Sequence, residues 1–254
     1  MARNPKNPME YIEKPKERAN EKLDLLLGWL IQFHHSTRQI LLKRMQLATH
    51  SHHTYFQRLE KQGILQKVRV YSINCRHIFM LTNLGKQMAI EKTGCIGNYS
   101  TDKNKLNHSG LRHNLSVQNS VIKYLAEYAE FKSEKYIRNL KFNDKKKPDA
   151  CLLSADRKTM LEVELTPKSD KRIFVGLNAH MEALTENVYQ KVLYIFPTKT
   201  LKDYYLDRFN QSSWPIYMQN EHESWVEKKE HSENDQIFKE KFEFIYDQNL
   251  LEGM

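Results

Sequence analysis

The residues of this chain best suited to chemistry are three carboxylates. Asp149 lies in Lys147-Pro148-Asp149-Ala150-Cys151-Leu152-Leu153; Glu162 and Glu164 lie in Met160-Leu161-Glu162-Val163-Glu164-Leu165-Thr166-Pro167-Lys168. The two segments read as adjacent strands joined by the turn-like Ser154-Ala155-Asp156-Arg157-Lys158. Side chains alternate along a strand, so Glu162 and Glu164 share one face while Leu161, Val163 and Leu165 point to a core. Three carboxylates at the mouth of a buried hairpin repel one another unless a cation lies between them. Hard oxygen donors of this kind suit Mg²⁺ or Mn²⁺. The expected roles give Asp149 and Glu162 to the metal. Glu164 would orient or deprotonate a water and complete the metal's shell, and Lys168 would pair with a phosphate. An ion held there polarises a phosphodiester and lowers the pKa of its bound water. The plain alternative is a set of solvated charges at strand ends.

The surrounding pattern supplies elements to position these groups. A helix is expected from about His113 to Glu130, with Glu127 as a candidate carboxylate behind the metal ligands. Strands follow near Lys135-Tyr136-Ile137, over Asp149–Leu153 and over Thr159–Thr166. Asp170 can cap a helix reaching Leu184, and Lys191-Val192-Leu193-Tyr194-Ile195-Phe196 has the continuous apolar character of a strand covered on both faces. A helix over Leu201–Phe209 and an edge strand at Trp214–Met218 complete the order α-β-β-β-α-β plus one further αβ. Tyr136, Tyr189, Tyr194, Tyr204 and Tyr205 keep a rival chemistry open, a covalent tyrosyl-DNA intermediate, and no spacing selects one of them.

The first part of the chain is organised differently. Residues 1–100 hold 16 Lys/Arg against 7 Asp/Glu, so the whole formal excess of +9 sits there. A basic domain beside a neutral one points to a nucleic-acid anchor attached to something else. Residues 1–20, with Pro5, Pro8 and Pro15 among charges, read as a flexible arm. Helical spacing of Leu23, Leu26, Leu27, Leu30 and Ile31 gives a first helix to about Phe33; Thr37 can cap a second and Thr49 a third, His50 to Gln62, ended by Gly63. Two alternating runs, Ile64–Tyr71 and Arg76–Leu81, then form a hairpin, and a last helix starts near Thr82. With Phe56 and Leu59 turned inward, His50, His53, Thr54, Gln57, Arg58 and Lys61 share the outer face of the third helix, where they suit base edges and phosphates. Arg69 and Arg76 on the hairpin would add phosphate contacts. The clusters His34-His35 and His50-Ser51-His52-His53 also invite a metal-histidine reading, but they lack the central-strand setting such a site needs.

The domain boundaries that follow are an arm over 1–20, a DNA-binding domain over 21–95, a linker over 96–108, a catalytic domain over 109–218 and an acidic segment over 219–254. That last segment carries 10 acidic against 4 basic residues and reads as a solvated tail. No apolar run approaches a membrane span, and Met1-Ala2-Arg3-Asn4-Pro5-Lys6 lacks the apolar core of a signal peptide. Cys75, Cys95 and Cys151 form neither a disulfide framework nor a paired-cysteine zinc site. A cytoplasmic protein without membrane insertion is expected.

Three helices followed by a hairpin resemble a winged helix-turn-helix domain, with Thr54–Leu65 in the place of its recognition helix and first wing strand. The second part, with Pro148-Asp149 and Glu162-Val163-Glu164 in their strand context, resembles the PD-(D/E)xK superfamily of the restriction-endonuclease fold. It departs from the common pattern at Glu164, where a lysine is usual. The fold class expected is therefore α/β, an N-terminal winged helix plus a C-terminal PD-(D/E)xK-like domain. The local signature Glu162-Val163-Glu164-Leu165-Thr166-Pro167-Lys168-Ser169 and the overall layout are similar to the replication-relaxation family and to the MobC-type relaxases of mobilisable plasmids. That resemblance implies binding to the double-stranded DNA of a plasmid transfer origin and nicking of one strand by Mg²⁺- or Mn²⁺-dependent cleavage. It also implies accessory mobilisation proteins and a conjugative secretion system as partners. The rival from another class is a non-catalytic DNA-binding regulator that keeps a degenerate nuclease fold.

Overall fold

Capping and periodicity shape the first half of the chain. The computed structural model describes residues 8–48, 53–71, 73, 75–95, 99–137, 147–219, 225–233 and 239–252. The chain divides into two units, Met1–Ser109 and Gly110–Glu252. In the first unit, helix α1 (Pro8–Phe33) buries Leu26, Leu27, Leu30 and Ile31, the spacing that predicts it. It begins inside the segment expected to be a flexible arm. Glu10, Glu13, Lys14, Glu17 and Arg18 are good helix formers, and Pro8 at the start of a helix loses no hydrogen bond. Helix α2 (Arg38–Arg44) is capped by Thr37, whose hydroxyl accepts from the Ile40 amide at 3.3 Å. Helix α3 (His53–Lys61) buries Phe56 and Leu59, worth roughly 1.5–3 kcal/mol each.

Gly63 ends α3 with φ +69°, a left-handed conformation that costs a glycine nothing. Strands β1 (Leu65–Arg69) and β2 (His77–Leu81) then pair antiparallel, with Lys67 opposite Phe79 and Arg69 opposite His77. A bridge between Ser36 and Phe79 joins the α1–α2 turn to the hairpin. Helix α4 (Asn83–Thr93) is capped by Thr82, whose hydroxyl also donates to the carbonyls of Gly63 and Ile64 and so ties the α3–β1 turn to α4. The close approach needs Gly85: a Cβ there would stand 2.2 Å from the Ile64 carbonyl oxygen.

The segment expected to be a linker is partly built into this unit. Tyr99 is buried, donating to the His34 carbonyl at 2.8 Å and accepting from the Leu81 amide at 2.7 Å. A single 3-10 turn follows at Lys103–Lys105.

The second unit is a mixed α/β structure. Helix α5 (Leu111–Tyr124) leads to strand β3 (Glu130–Ser133) and the one-turn helix α6 (Glu134–Ile137), so the strand lies just before the expected position. Strands β4 (Ala150–Leu153) and β5 (Lys158–Val163) form the anticipated hairpin. Helix α7 (Asp170–Thr185), strand β6 (Lys191–Phe196) and helix α8 (Lys199–Phe209) follow, the last capped by Thr198. Strands β7 (Ser213–Gln219) and β8 (Trp225–Glu233) make a separate antiparallel ribbon. Strand β9 (Phe242–Tyr246) joins the main sheet, ordered β3-β4-β5-β6-β9, antiparallel from β3 to β5 and parallel from β5 to β9.

Residues 239–252 of the acidic segment are therefore not a solvated tail. Phe242 and Leu250 are buried, and the apolar residues of Phe242-Glu243-Phe244-Ile245-Tyr246 outweigh a net charge that sits on its solvent side. Both faces of β5 and β6 are covered, so burial along β5 is continuous from Thr159 to Val163 instead of alternating. Among the described residues no helix is long and apolar enough to cross a membrane.

Candidate active site and nucleic-acid face

In the second unit, Asp149 enters the sheet one step before β4. Its amide donates to the Leu161 carbonyl at 3.1 Å and its carbonyl accepts from the Glu134 amide at 3.0 Å. The antiparallel register then sets Asp149 across from Glu162. Its carboxylate accepts from the Val163 amide at 2.7 Å and lies 3.3 Å from Nε2 of His113, on the first turn of α5. His113 also reaches the Val163 carbonyl at 3.0 Å. Burial disfavours the imidazolium, but the bond and charge of Asp149, the Val163 carbonyl and the charge of Glu164 outweigh it and lift the His113 pKa to about 9. At a pKa of about 9 His113 is cationic at neutral pH, paired with Asp149 and within the field of Glu164.

Glu162 faces the other way from solvent. It is 3% exposed and meets Nε2 of His180, from α7, at 2.9 Å. The Nδ1 of His180 is 2.6 Å from the Tyr189 hydroxyl. Burial, then the Glu162 charge, pushes the Tyr189 pKa far above its ordinary value, so this hydroxyl keeps its proton. With Tyr189 donating to Nδ1, the proton of a neutral His180 sits on Nε2 and points at Glu162. Tyr189, Tyr194 and Phe242 surround the imidazole edge-on, with ring centroids 5.8–6.2 Å away.

Glu164, just past β5, is equally buried, and its amide donates to the Ile195 carbonyl at 3.0 Å. Its carboxylate takes Lys168 Nζ at 2.6 Å; that lysine side chain is 31% exposed. The Tyr205 hydroxyl is buried beside Glu164. Burial, followed by the charge of Glu164, drives its pKa far upward. Behind Lys168, the Tyr204 hydroxyl donates to the Lys168 carbonyl at 3.1 Å, and Arg208 stacks 3.6 Å from the Tyr204 ring centroid while binding Asp170 at 2.9 Å.

The four residues expected here are thus brought to one end of the sheet, but not as a cage of three facing carboxylates. Among the described residues no group of three or more His, Cys, Asp or Glu side chains has the arrangement to hold a metal. The reason is local: Asp149 is turned to His113 and the Val163 amide, Glu162 to His180, and Glu164 to Lys168. Leu165, expected in the core, is only half-buried, because the strand has ended. Glu127 lies beyond the C-terminal end of α5, exposed, and about 20 Å of helix separates it from the His113 end. Of the tyrosines, Tyr189, Tyr194 and Tyr205 are closed to solvent, which removes them as nucleophiles toward a phosphate. His113 and His180 were missed by the sequence reading, since lone histidines on helices carry no spacing signal and meet their carboxylates only through the fold.

In the first unit, His53, Thr54, Gln57, Arg58 and Lys61 are all exposed on α3, opposite Phe56 and Leu59. His50 lies outside the described residues. Arg69 and Arg76 are exposed on the hairpin. Partial burial and then the nearby charges of Lys67, Arg69 and Arg76 lower the pKa of His77, against an opposing pull from Glu60 on α3. The hairpin and α3 therefore share one electrostatic neighbourhood. His34 and His35 are structural: His34 Nε2 contacts the Ser100 carbonyl at 2.7 Å, and burial, then the adjacent His34, lowers the His35 pKa to about 3.

Comparison with family models, with curated proteins and with solved structures finds no match to this chain.

Proposed function

We propose that the chain is a cytoplasmic DNA nickase of the mobilisation-relaxase kind: a winged helix that binds double-stranded DNA at a plasmid transfer origin, joined to a PD-(D/E)xK-like domain that cuts one strand with Mg²⁺ or Mn²⁺. The observation that carries this reading is a pair of carboxylates each held by a cation, Asp149 with His113 at 3.3 Å and Glu164 with Lys168 at 2.6 Å, at one end of a sheet whose strands run antiparallel from β3 to β5 and parallel from β5 to β9. The donors, Asp149 and Glu164, are hard oxygens beside the buried Tyr205 hydroxyl, a donor set that suits a small divalent cation. Such an ion is commonly held by one or two carboxylates plus water and substrate phosphate, which Asp149 and Glu164 satisfy without a third ligand. When bound, it supplies charge stabilisation at the scissile phosphate and an acidified water. In this reading Asp149 and Glu164 hold the ion, Lys168 and His113 meet phosphate oxygens, and Glu162 fixes β5 through His180. The exposed polar face of α3, with Arg69 and Arg76, supplies the duplex contacts.

Supercoiled plasmid incubated with the full chain and Mn²⁺ should yield open circles. Asp149→Ala and Glu164→Ala should abolish nicking and leave duplex binding intact; undiminished cleavage by both variants rejects the site. Labelled DNA that stays free of protein on a denaturing gel is the result expected for hydrolysis. The second reading, a regulator that binds DNA without cutting it, is favoured by the closure of Glu162 against His180 and by the lack of a three-donor group among the described residues. Supercoil left unchanged while salt-sensitive binding persists selects it.

A further inference from the structure

Among the described residues, the most exposed large hydrophobic side chain is Tyr71, 78% exposed, immediately after β1. Alternation along the strand puts Lys67, Arg69 and Tyr71 on one face of the hairpin, with Val68 and Val70 buried between them. The Arg69 guanidinium lies 5.0 Å from the centroid of the Tyr71 ring. Arg69 stands opposite His77, and Arg76 projects from the partner strand beside the Val70 pairing. The Tyr71 ring is thus presented to water among the cations Lys67, Arg69 and Arg76, the combination of stacking platform and phosphate-binding charge that single-stranded nucleic acid uses. A nucleobase on its phosphate backbone is the partner that fits it.

We propose that the hairpin tip is a base-stacking contact, in which Tyr71 stacks on a base displaced from the duplex while Lys67, Arg69 and Arg76 hold the adjoining phosphates. This rests on the reading of the first unit as DNA-binding and adds what that unit prefers: duplex containing an unpaired stretch over fully paired duplex. The hairpin cations give the backbone attraction that any DNA shares, and the ring gives the term that only an unstacked base can collect. Phe79 of the same hairpin packs at a tilt against Phe56 of α3, with ring centroids 5.0 Å apart, so the hairpin is tied to the helix that would read the neighbouring duplex.

The test uses the full chain and two fluorescent probes: a 30-base-pair duplex, and the same duplex with a central four-nucleotide mismatch bubble containing 2-aminopurine. Wild type should bind the bubble roughly tenfold more tightly than the duplex and quench the 2-aminopurine. Tyr71→Ala should erase that preference and the quenching while leaving duplex affinity unchanged, and Tyr71→Trp should restore both. Arg69→Ala and Lys67→Ala should weaken both probes and flatten the salt dependence. A wild type that binds both probes equally, or a Tyr71→Ala variant that keeps the preference, overturns the stacking contact while the DNA-binding reading stands. Binding to neither probe at low salt overturns both.

Discussion

The Glu162–His180 pair offers the sharpest test of how the candidate site is built. Both side chains are almost closed to water, 4% and 3% exposed, and their contact is 2.9 Å. Replacing His180 by Leu keeps the volume but leaves a carboxylate buried without its donor, and strands the Tyr189 hydroxyl as well. Breaking a buried pair from one side costs about 3–5 kcal/mol, and the lost Tyr189 bond adds about 1 kcal/mol. Replacing both members by Leu removes the uncompensated charge, so the double variant should lie within about 2 kcal/mol of wild type. Adding Glu162→Leu to His180→Leu should therefore recover about 2–4 kcal/mol, where independent positions would only add their losses. Hydrogen exchange of the β5 and β6 amides in the intact chain reads the stability of this unit directly. A His180→Leu loss below about 1 kcal/mol would refute the reasoning. So would full recovery of protection on adding Mn²⁺, because Glu162 would then be a metal ligand and not the partner of His180.

Three further outcomes are expected. His35 has a folded pKa of about 3 against 6.5 when unfolded, so its stabilising neutral form is fully favourable above pH 6.5 and its contribution falls as pH drops toward 3. By pH 5 the first unit should have lost about 2 kcal/mol, a slope that His35→Leu should remove in urea titrations followed by exchange of α1 and β2 amides. Gly85→Ala puts a methyl against the Ile64 backbone carbonyl and should cost about 1–3 kcal/mol in the same measurement, with the second unit unaffected. Lys168→Met withdraws the cation from Glu164 and should tighten Mn²⁺ binding to the free protein in calorimetric titration; unchanged or weaker binding would show that Lys168 does not compete for that carboxylate.

Much of the architecture was legible because its signals are local. Thr37, Thr82 and Thr198 cap the helices they precede, and Phe56 with Leu59 fixes which face of α3 is inward. The run Lys191–Phe196 forms β6 over that same span because a strand buried on both faces needs unbroken apolar residues. What failed depends on long-range partners. Glu162 and Glu164 looked like the solvent face of a one-sided hairpin, yet α7 and α8 bring His180 and Tyr205 over that face. The acidic count of residues 219–254 hid β9, whose pairing with β6 crosses 50 residues of chain. Charge composition reports what a segment shows to water; it does not report which apolar minority a sheet edge will take up.

The charge balance at the candidate site bears on how a metal and DNA would arrive. Asp149, Glu162 and Glu164 each face a nitrogen donor already supplied by the chain: His113, His180 and Lys168. With His113 against Asp149 and Lys168 against Glu164, both carboxylates are compensated before any ion enters. A divalent cation added to that arrangement brings surplus positive charge into a partly buried space, where charge is costly to leave unmatched. A phosphodiester would supply the missing negative charge and would offer His113 and Lys168 new acceptors if Asp149 and Glu164 held the ion. On the proposed reading metal and DNA would then favour one another through a shared charge deficit, each raising the affinity of the other by the same factor. In this scheme Lys168, four residues beyond Glu164, supplies the positive charge from the loop instead of the strand.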